Sequence, residues 1–486
     1  MEEFYQVLAL VSLVVYWLVA VVVTLRIVLK RRPFGVSLAW LSVIYIIPVV
    51  GIGAYLLFGE TNVGKKRTLR AKAMYEDYRQ RYSELAFNHR LSVPHMRKHA
   101  RPIHSLCLNL TGIPSITGSD SRLLTNNDEI FDAILADIGR AKHTVFMEFY
   151  IWHGSGRTNQ VSDALIAAVA RGVSVRLLLD GVGSRRFLSS HKAYHLKTAG
   201  VQVVEAMSPS PLWMFIRRLD LRQHRKIIAI DDCIGYTGSM NMADNRYFNT
   251  GAGVGEWIDV MVRVTGPSVS ALATILAWDW EVETGERVLS AMPKMEITKG
   301  QPHYHDALQV IPSGPGLPDN VIQQVLLLSI YHAKHSITLC SPYFVPSEHL
   351  LEALKIAARQ GIIVRLIVPD KNDSMMVEWA SRSFFSELMT AGVEIYRFTS
   401  GLLHTKSVLI DYDHCLIGSV NLDMRSLKLN GEITIASDDI KLCEQLAAVN
   451  EEYLLRCNRL KLEHWQERPL SAKLVEQFYY MFAPLL

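Results

Sequence analysis

Between about residue 110 and residue 460 the chain is written twice. Ala141-Lys142-His143-Thr144-Val145 returns as Ala333-Lys334-His335-Ser336-Ile337, Gly172-Val173 as Gly361-Ile362, and Ala199-Gly200-Val201 as Ala391-Gly392-Val393. A period of about 190 residues is far too long for a solenoid unit, so it marks two duplicated lobes. Each copy runs in one order. An amphipathic helix (130–140; 321–332) leads to a strand (145–151; 337–339), then a helix (161–171; 349–359) to an apolar strand (173–179; 362–368). Helices alternating with buried strands predict an α/β fold, with helices covering the faces of a sheet in each lobe. The expected boundaries are 1–60 for an apolar hairpin and 61–114 for a basic helical linker. The first lobe is expected at 115–285, a second linker at 286–308, and the second lobe with C-terminal helices at 309–486.

The polar residues of the repeat are its most specific part. The first copy reads His224-Arg225-Lys226, then Asp231, then Gly238-Ser239-Met240-Asn241; the second reads His404-Thr405-Lys406, Asp411 and Gly418-Ser419-Val420-Asn421, at identical spacing. His and Lys two apart share one face of a strand. Asp lies seven residues beyond His, an odd offset that points it to the other face and toward a supporting role. Two lysines brought to one point suit a phosphodiester anion and the added charge of its pentacoordinate transition state. One imidazole can attack phosphorus while the other protonates the departing alkoxide; these residues alone do not say which does which. Metal catalysis is disfavoured, because each His has a cation as its nearest neighbour on its face and no set has ligand spacing. Acids follow each motif: Glu256 and Asp259 after the first, Glu432 after the second. A carboxylate at His Nδ1 would set the tautomer, although Asp259 stands 20 residues after Ser239 and Glu432 only 13 after Ser419. Solvated or structural roles for these acids remain equally open.

The apolar excess of the chain sits at its N-terminal end. Phe4 to Leu29 is long enough to cross the roughly 30 Å hydrocarbon layer. A cleaved leader is disfavoured by the acidic Glu2 and Glu3, the length of the run and the lack of a small-x-small site. Phe34 to Phe58 is a second run, carrying Trp40, Pro48, Gly51 and Gly53, and together they predict a transmembrane helical hairpin. Both the short loop (Lys30, Arg31, Arg32) and the exit segment (Lys65, Lys66, Arg67, Arg70, Lys72) are basic. Two full crossings cannot put both on the cytoplasmic side, so either the exit cluster prevails or one run is re-entrant. Either way the lobes are cytoplasmic, and six scattered cysteines without pair spacing suit a reducing compartment. The segment Trp213 to Leu219 mixes apolar residues with Arg217 and Arg218 and reads as an interfacial element or, equally, as an ordinary loop. The apolar tail Phe478 to Leu486 is expected to pack on the lobes rather than to meet lipid.

These motifs resemble those of the phospholipase D superfamily, whose signature is His-x-Lys-x4-Asp-x6-Gly-Ser-x-Asn, over roughly residues 115 to 460. The resemblance implies duplicated phospholipase D-like lobes forming one pseudo-two-fold, metal-independent active site, with no cofactor. Its site residues would be His224, Lys226, Asp231, His404, Lys406 and Asp411, supported by Ser239, Asn241, Ser419 and Asn421. Ser37-Leu38-Ala39-Trp40, Ile47-Pro48-Val49-Val50-Gly51 and Asp220-Leu221-Arg222-Gln223 extend the similarity to the bacterial cardiolipin synthases. What this implies is a multi-pass protein of the bacterial inner membrane whose partners are the bilayer and an anionic phospholipid. Two phosphatidylglycerols would give cardiolipin and glycerol through a phosphohistidine, with His224 the nucleophile by analogy. A hydrolase, or a transferase using phosphatidylethanolamine or CDP-diacylglycerol, is the alternative on the same motif. A nuclease would call for a strongly basic face, which a net charge of +4 does not supply.

Overall fold

Alternation of apolar strands and amphipathic helices builds two sheets with a common seven-strand order, and the second adds Ser115–Ile116 and Cys457–Arg459 at its two edges. The computed structural model describes residues 1–30, 34–60, 63–88, 99–208, 218, 220–291 and 307–483. The first sheet runs in the order Asp120–Leu124, Met261–Thr265, Ile234–Gly238, Lys226–Ile230, Thr144–Phe149, Ser174–Asp180 and Gln202–Ala206. In the second, Leu308–Ser313, Glu432–Ser437, His414–Gly418, Ser407–Ile410, Ser336–Cys340, Ile363–Pro369 and Glu394–Phe398 repeat that order strand for strand. In both, the strands joined through helices pair in parallel and the motif hairpin pairs antiparallel, as short turns and helical crossovers require.

Three apolar cores follow. The helices Asn127–Arg140 and Arg157–Ala170 cover the outer face of the first sheet, and Val321–His332 and Glu348–Arg359 cover that of the second. The inner faces share one core, which takes in Val262 and Ile227 from one lobe and Val310 and Ile433 from the other. Helix Val269–Thr284 lies in it and is buried from Val269 through Ala277 on every side, so the apolar residues around its whole circumference are matched by core.

The expected boundaries need two corrections. The strand Ser115–Ile116 pairs with Leu308–Ser313, so it belongs to the second sheet and not to the first lobe. Nor is 61–114 a linker in its packing. Met74, Tyr78, Tyr82 and Leu85 of helix Lys65–Asn88 are buried in the shared core, and Ile103 and Cys107 of helix Ala100–Thr111 in the second lobe's outer core. The many charged residues of helix Lys65–Asn88 hid its single apolar stripe.

The N-terminal unit departs further from expectation. Helix Glu2–Leu29 is a single rod, about 42 Å long at 1.5 Å per residue. The second apolar run is broken at Pro48 into Phe34–Ile46 and Pro48–Phe58, each only about 17–20 Å long and too short to cross. The two halves fold against each other so closely that a Cβ at Gly51 would lie 2.4 Å from the Val43 carbonyl oxygen. Arg26 near the end of the first helix donates to both oxygens of Glu60 (2.5 and 2.7 Å), and Lys30 lies 2.8 Å from it. The end of the long helix and the exit of the second run therefore meet at one level. Of the segment Trp213–Leu219, only Arg218 is among the described residues.

Candidate active site

Each motif strand begins at the boundary between the lobes, and its first residues pair with the opposite lobe. The His224 N–H donates to the Gly431 carbonyl (2.8 Å), and the Gly431 N–H to the Arg222 carbonyl (2.8 Å). In the other copy Leu402–Leu403 pairs in parallel with Trp257–Ile258, and the His404 N–H donates to the Ile258 carbonyl (2.8 Å). These contacts place each histidine beside the acid of the other copy. His224 Nδ1 is 2.9 Å from Glu432 Oε2, and His404 Nδ1 is 2.7 Å from Asp259 Oδ1. The two acids are equivalent in spite of their unequal offsets, since Ser239 Oγ donates to Asp259 (2.6 Å) and Ser419 Oγ to Glu432 (2.5 Å). Each serine also accepts from the backbone N–H of the residue after its acid, Val260 or Ile433 (both 3.0 Å). The glycine before each serine permits that approach, because a Cβ at Gly238 or Gly418 would lie 2.3 or 2.2 Å from a carbonyl of the neighbouring strand.

Electrostatics follow from burial. Lys226 and Lys406 donate to the main-chain carbonyls of His224 and His404 (2.8 and 2.7 Å), and the charge of each disfavours protonation of the imidazole in its own motif. Desolvation pushes Lys226 down to about 8 and Lys406 to about 7, against the pull of nearby carboxylates that include one from each lobe. Burial likewise lowers His224 to about 4 and His404 to about 3, with Glu432 and Asp259 pulling the other way. Burial also opposes charge on the two acids. His404, Lys406 and Ser239 nevertheless hold Asp259 below its ordinary value, and His224, Lys226 and Ser419 do so for Glu432. Neutral imidazole beside carboxylate means that Nδ1–H donates and Nε2 keeps its lone pair.

The remaining residues divide. Asn241 Oδ1 accepts from the Ile151 N–H (3.3 Å), while Asn421 Oδ1 is buried with no partner among the described residues. Asp231 and Asp411, included in the site by resemblance, lie at the far end of their strands, about 16 Å of chain from the lysines. Both have left-handed backbone (φ 51° and 49°) in the hairpin turn. The Asp231 carboxylate accepts from the N–H groups of Lys142, His143 and Thr144, and that of Asp411 from Lys334, His335 and Ser336, at 2.7–2.8 Å. They are positioning residues that tie the turn to the next strand, and their inclusion among reacting groups is corrected. Glu256 accepts from the Asn245 amide (3.0 Å) and is exposed.

Several neighbours carried no signal in the sequence. Tyr150 lies with its ring 4.9 Å from His224, and Trp257 with its ring 4.3 Å from His404. Arg225 and Thr405, the variable positions of His-x-Lys, point away from the reacting face and tie the lobes together. Arg225 donates to the carbonyls of Glu432 (3.0 Å) and Ser313 (3.2 Å), and Thr405 Oγ1 donates to the Ile258 carbonyl (3.3 Å). Among the described residues no group of three or more His, Cys, Asp or Glu is arranged to hold a metal ion.

Similarity to known proteins bears on this geometry. The family described as "Cardiolipin synthase, PLD-like domain" matches residues 134–267 and 326–453, and "Phospholipase_D-nuclease N-terminal" matches 15–60. Cardiolipin synthase A of Serratia proteamaculans and that of Yersinia pestis are each 47% identical over 486 residues, covering the whole of both chains. In fold, the chain is similar to the phosphatidylserine synthase of Haemophilus influenzae, with a TM-score of 0.58 at 16% identity, over 79% of this chain and 98% of that one.

Proposed function

Since the chain belongs to the cardiolipin synthases of the phospholipase D superfamily, and is a membrane-associated phosphatidyltransferase acting on phospholipid, we propose that it condenses two phosphatidylglycerols into cardiolipin and glycerol through a phosphohistidine. The observation that carries this reading is the crosswise pair of buried histidine–carboxylate couples with two buried lysines between them.

His224 Nε2 attacks the phosphorus of the first lipid, forming the N–P bond as the bond to the headgroup glycerol breaks. His404, protonated on Nε2 as the anionic substrate enters, gives that proton to the leaving alkoxide, and glycerol departs. Neutral His404 then takes the proton from the terminal hydroxyl of a second phosphatidylglycerol, whose oxygen attacks phosphorus. The N–P bond breaks and His224 is restored. Lys226 and Lys406 hold the non-bridging oxygens throughout, and the amides of Asn241 and Asn421 lie at the ends of the same motifs. Water is the competing acceptor, and burial of the site favours the lipid hydroxyl.

The N-terminal unit favours one arrangement in the membrane. Helix Glu2–Leu29 crosses once, and the broken run enters and leaves on one side. Both basic clusters, the Arg26–Glu60 contact and the lobes then share the cytoplasmic side of the bacterial inner membrane, which resolves the conflict between the charges and two full crossings. The chain would thus cross once rather than as a multi-pass hairpin.

The reaction is tested with the full chain in proteoliposomes containing phosphatidylglycerol labelled in its phosphate. Cardiolipin as the main labelled product, with an acid-labile phosphoenzyme lost in His224→Ala, is the expected result. Phosphatidic acid as the main product would make the protein a hydrolase.

A further inference from the structure

The C-terminal helix Leu470–Tyr480 is amphipathic in an inverted sense. Leu470, Leu474, Phe478 and Met481 fall at i, i+4, i+8 and i+11, one stripe of the helix surface, and they are 72, 61, 55 and 75% exposed. The opposite face packs on helix Met375–Ser383 and carries Glu476, which is buried. Arg382 Nε (3.1 Å) and Arg468 Nη2 (3.1 Å) pair with its carboxylate. The helix's one carboxylate is thereby turned inward and neutralised. Lys473 is the only other charged residue between 470 and 480, and Tyr480 is 44% exposed. A soluble surface helix would present the reverse pattern.

We infer that this stripe docks the catalytic lobes on the surface of an anionic phospholipid bilayer, with Leu474 and Phe478 seated among the acyl chains. Three observations select a bilayer as the occupant. Large aliphatic and aromatic residues edged by lysine and tyrosine are the composition of interfacial helices. Withdrawal of Glu476 leaves the outward face without the negative charge that anionic headgroups would repel. A chain held by a membrane-crossing helix also keeps its lobes where a bilayer is the most abundant apolar surface. The inference rests on the lipid-substrate reading above and adds a second point of attachment to it.

The test uses the full chain in nanodiscs containing phosphatidylglycerol, with a trace of lipid bearing a diazirine in its acyl chain. Photolysis is expected to label residues 474–483 as well as the N-terminal helix. The exposed double variant Leu474→Gln/Phe478→Gln should lose the first label and keep the second. Its kcat/KM toward bilayer phosphatidylglycerol should fall by about tenfold, the scale of two lost apolar insertions after partial compensation by the anchor. With a short-chain phosphatidylglycerol dispersed as monomers, variant and wild type should be equal. Label confined to the N-terminal helix, equal rates on bilayers, or a stripe crosslinked to a second copy of the chain instead of lipid would each overturn the docking. Wild-type labelling at 474–483 without any cardiolipin made would leave the docking standing and sink the reaction assignment.

Discussion

Lys226 and Lys406 are almost wholly buried, and that burial makes the site sensitive to pH. A lysine whose value is lowered is cationic below that value and neutral above it. Raising the pH removes a proton first from Lys406 (about 7) and then from Lys226 (about 8), so affinity for an anionic phosphodiester is greatest on the acid side of this window. His224, lowered to about 4, sets the opposite limit, because an imidazole protonated on both nitrogens cannot attack phosphorus. The prediction is a kcat/KM for phosphatidylglycerol that declines as the pH rises past 7 to 8 and again as it falls through about 4. Lys406→Arg, which stays cationic, should extend activity to higher pH even if its maximum is lower. A wild-type profile flat from pH 6 to 9 would contradict the assignment. His224, His404 and both lysines were legible as one candidate constellation because strand periodicity puts His and Lys on one face. Tyr150 and Trp257 were not, since an aromatic ring beside a histidine leaves no spacing pattern behind.

At the level of elements, the motif hairpins and the membrane segments show how far local pattern carries. The strand Lys226–Ile230 and its turn follow from an apolar run ending in Asp231, a residue that tolerates left-handed backbone better than branched ones do. Parity pointed Asp231 and Asp411 away from the lysines, but not toward their partners, three consecutive backbone N–H groups some 75–90 residues away in sequence. Composition likewise marked Phe34 to Phe58 as apolar. Its length alone predicts a crossing, and only the break at Pro48 and the close packing at Gly51 make it a folded-back pair. Single cysteines placed at Glu3, Gly35 and Lys65 in a chain with its native cysteines replaced test this arrangement. A membrane-impermeant maleimide added to intact cells should label position 3, while positions 35 and 65 should react only after the membrane is opened. Labelling of position 35 from the side opposite to 65 would restore a two-crossing hairpin.

Over the whole molecule, the decisive feature is the exchange of acids between lobes. Glu432 lies in the second lobe but orients the first histidine, and Asp259 does the converse. Glu432→Gln should therefore lower kcat by about 100-fold or more by disabling His224 as nucleophile. Asp259→Asn should cause a similar loss by disabling His404 as general acid. A phosphatidyl ester of p-nitrophenol, whose leaving group needs no proton, separates the two. It should restore phosphohistidine formation in Asp259→Asn and leave Glu432→Gln inactive. The reverse pattern would mean that His404 is the nucleophile, and equal restoration would deny the division of roles.

Residue pattern alone carries the duplication, the α/β lobes, the phosphodiester chemistry of the His and Lys residues and the apolar N-terminal segments. These are properties of neighbours along the chain, written as spacing and period. Folding decides the rest. Which carboxylate serves which histidine, that Arg225 and Thr405 clasp the lobes, and that Asp231 and Asp411 brace turns are contacts between residues far apart in sequence. Offsets of 20 and 13 residues from serine to acid look unrelated until the strands Met261–Thr265 and Glu432–Ser437, at whose starts Asp259 and Glu432 stand, take the same place in their sheets. Spacing can be read from one chain, whereas pairing across lobes exists only once both copies have folded and packed on a shared core.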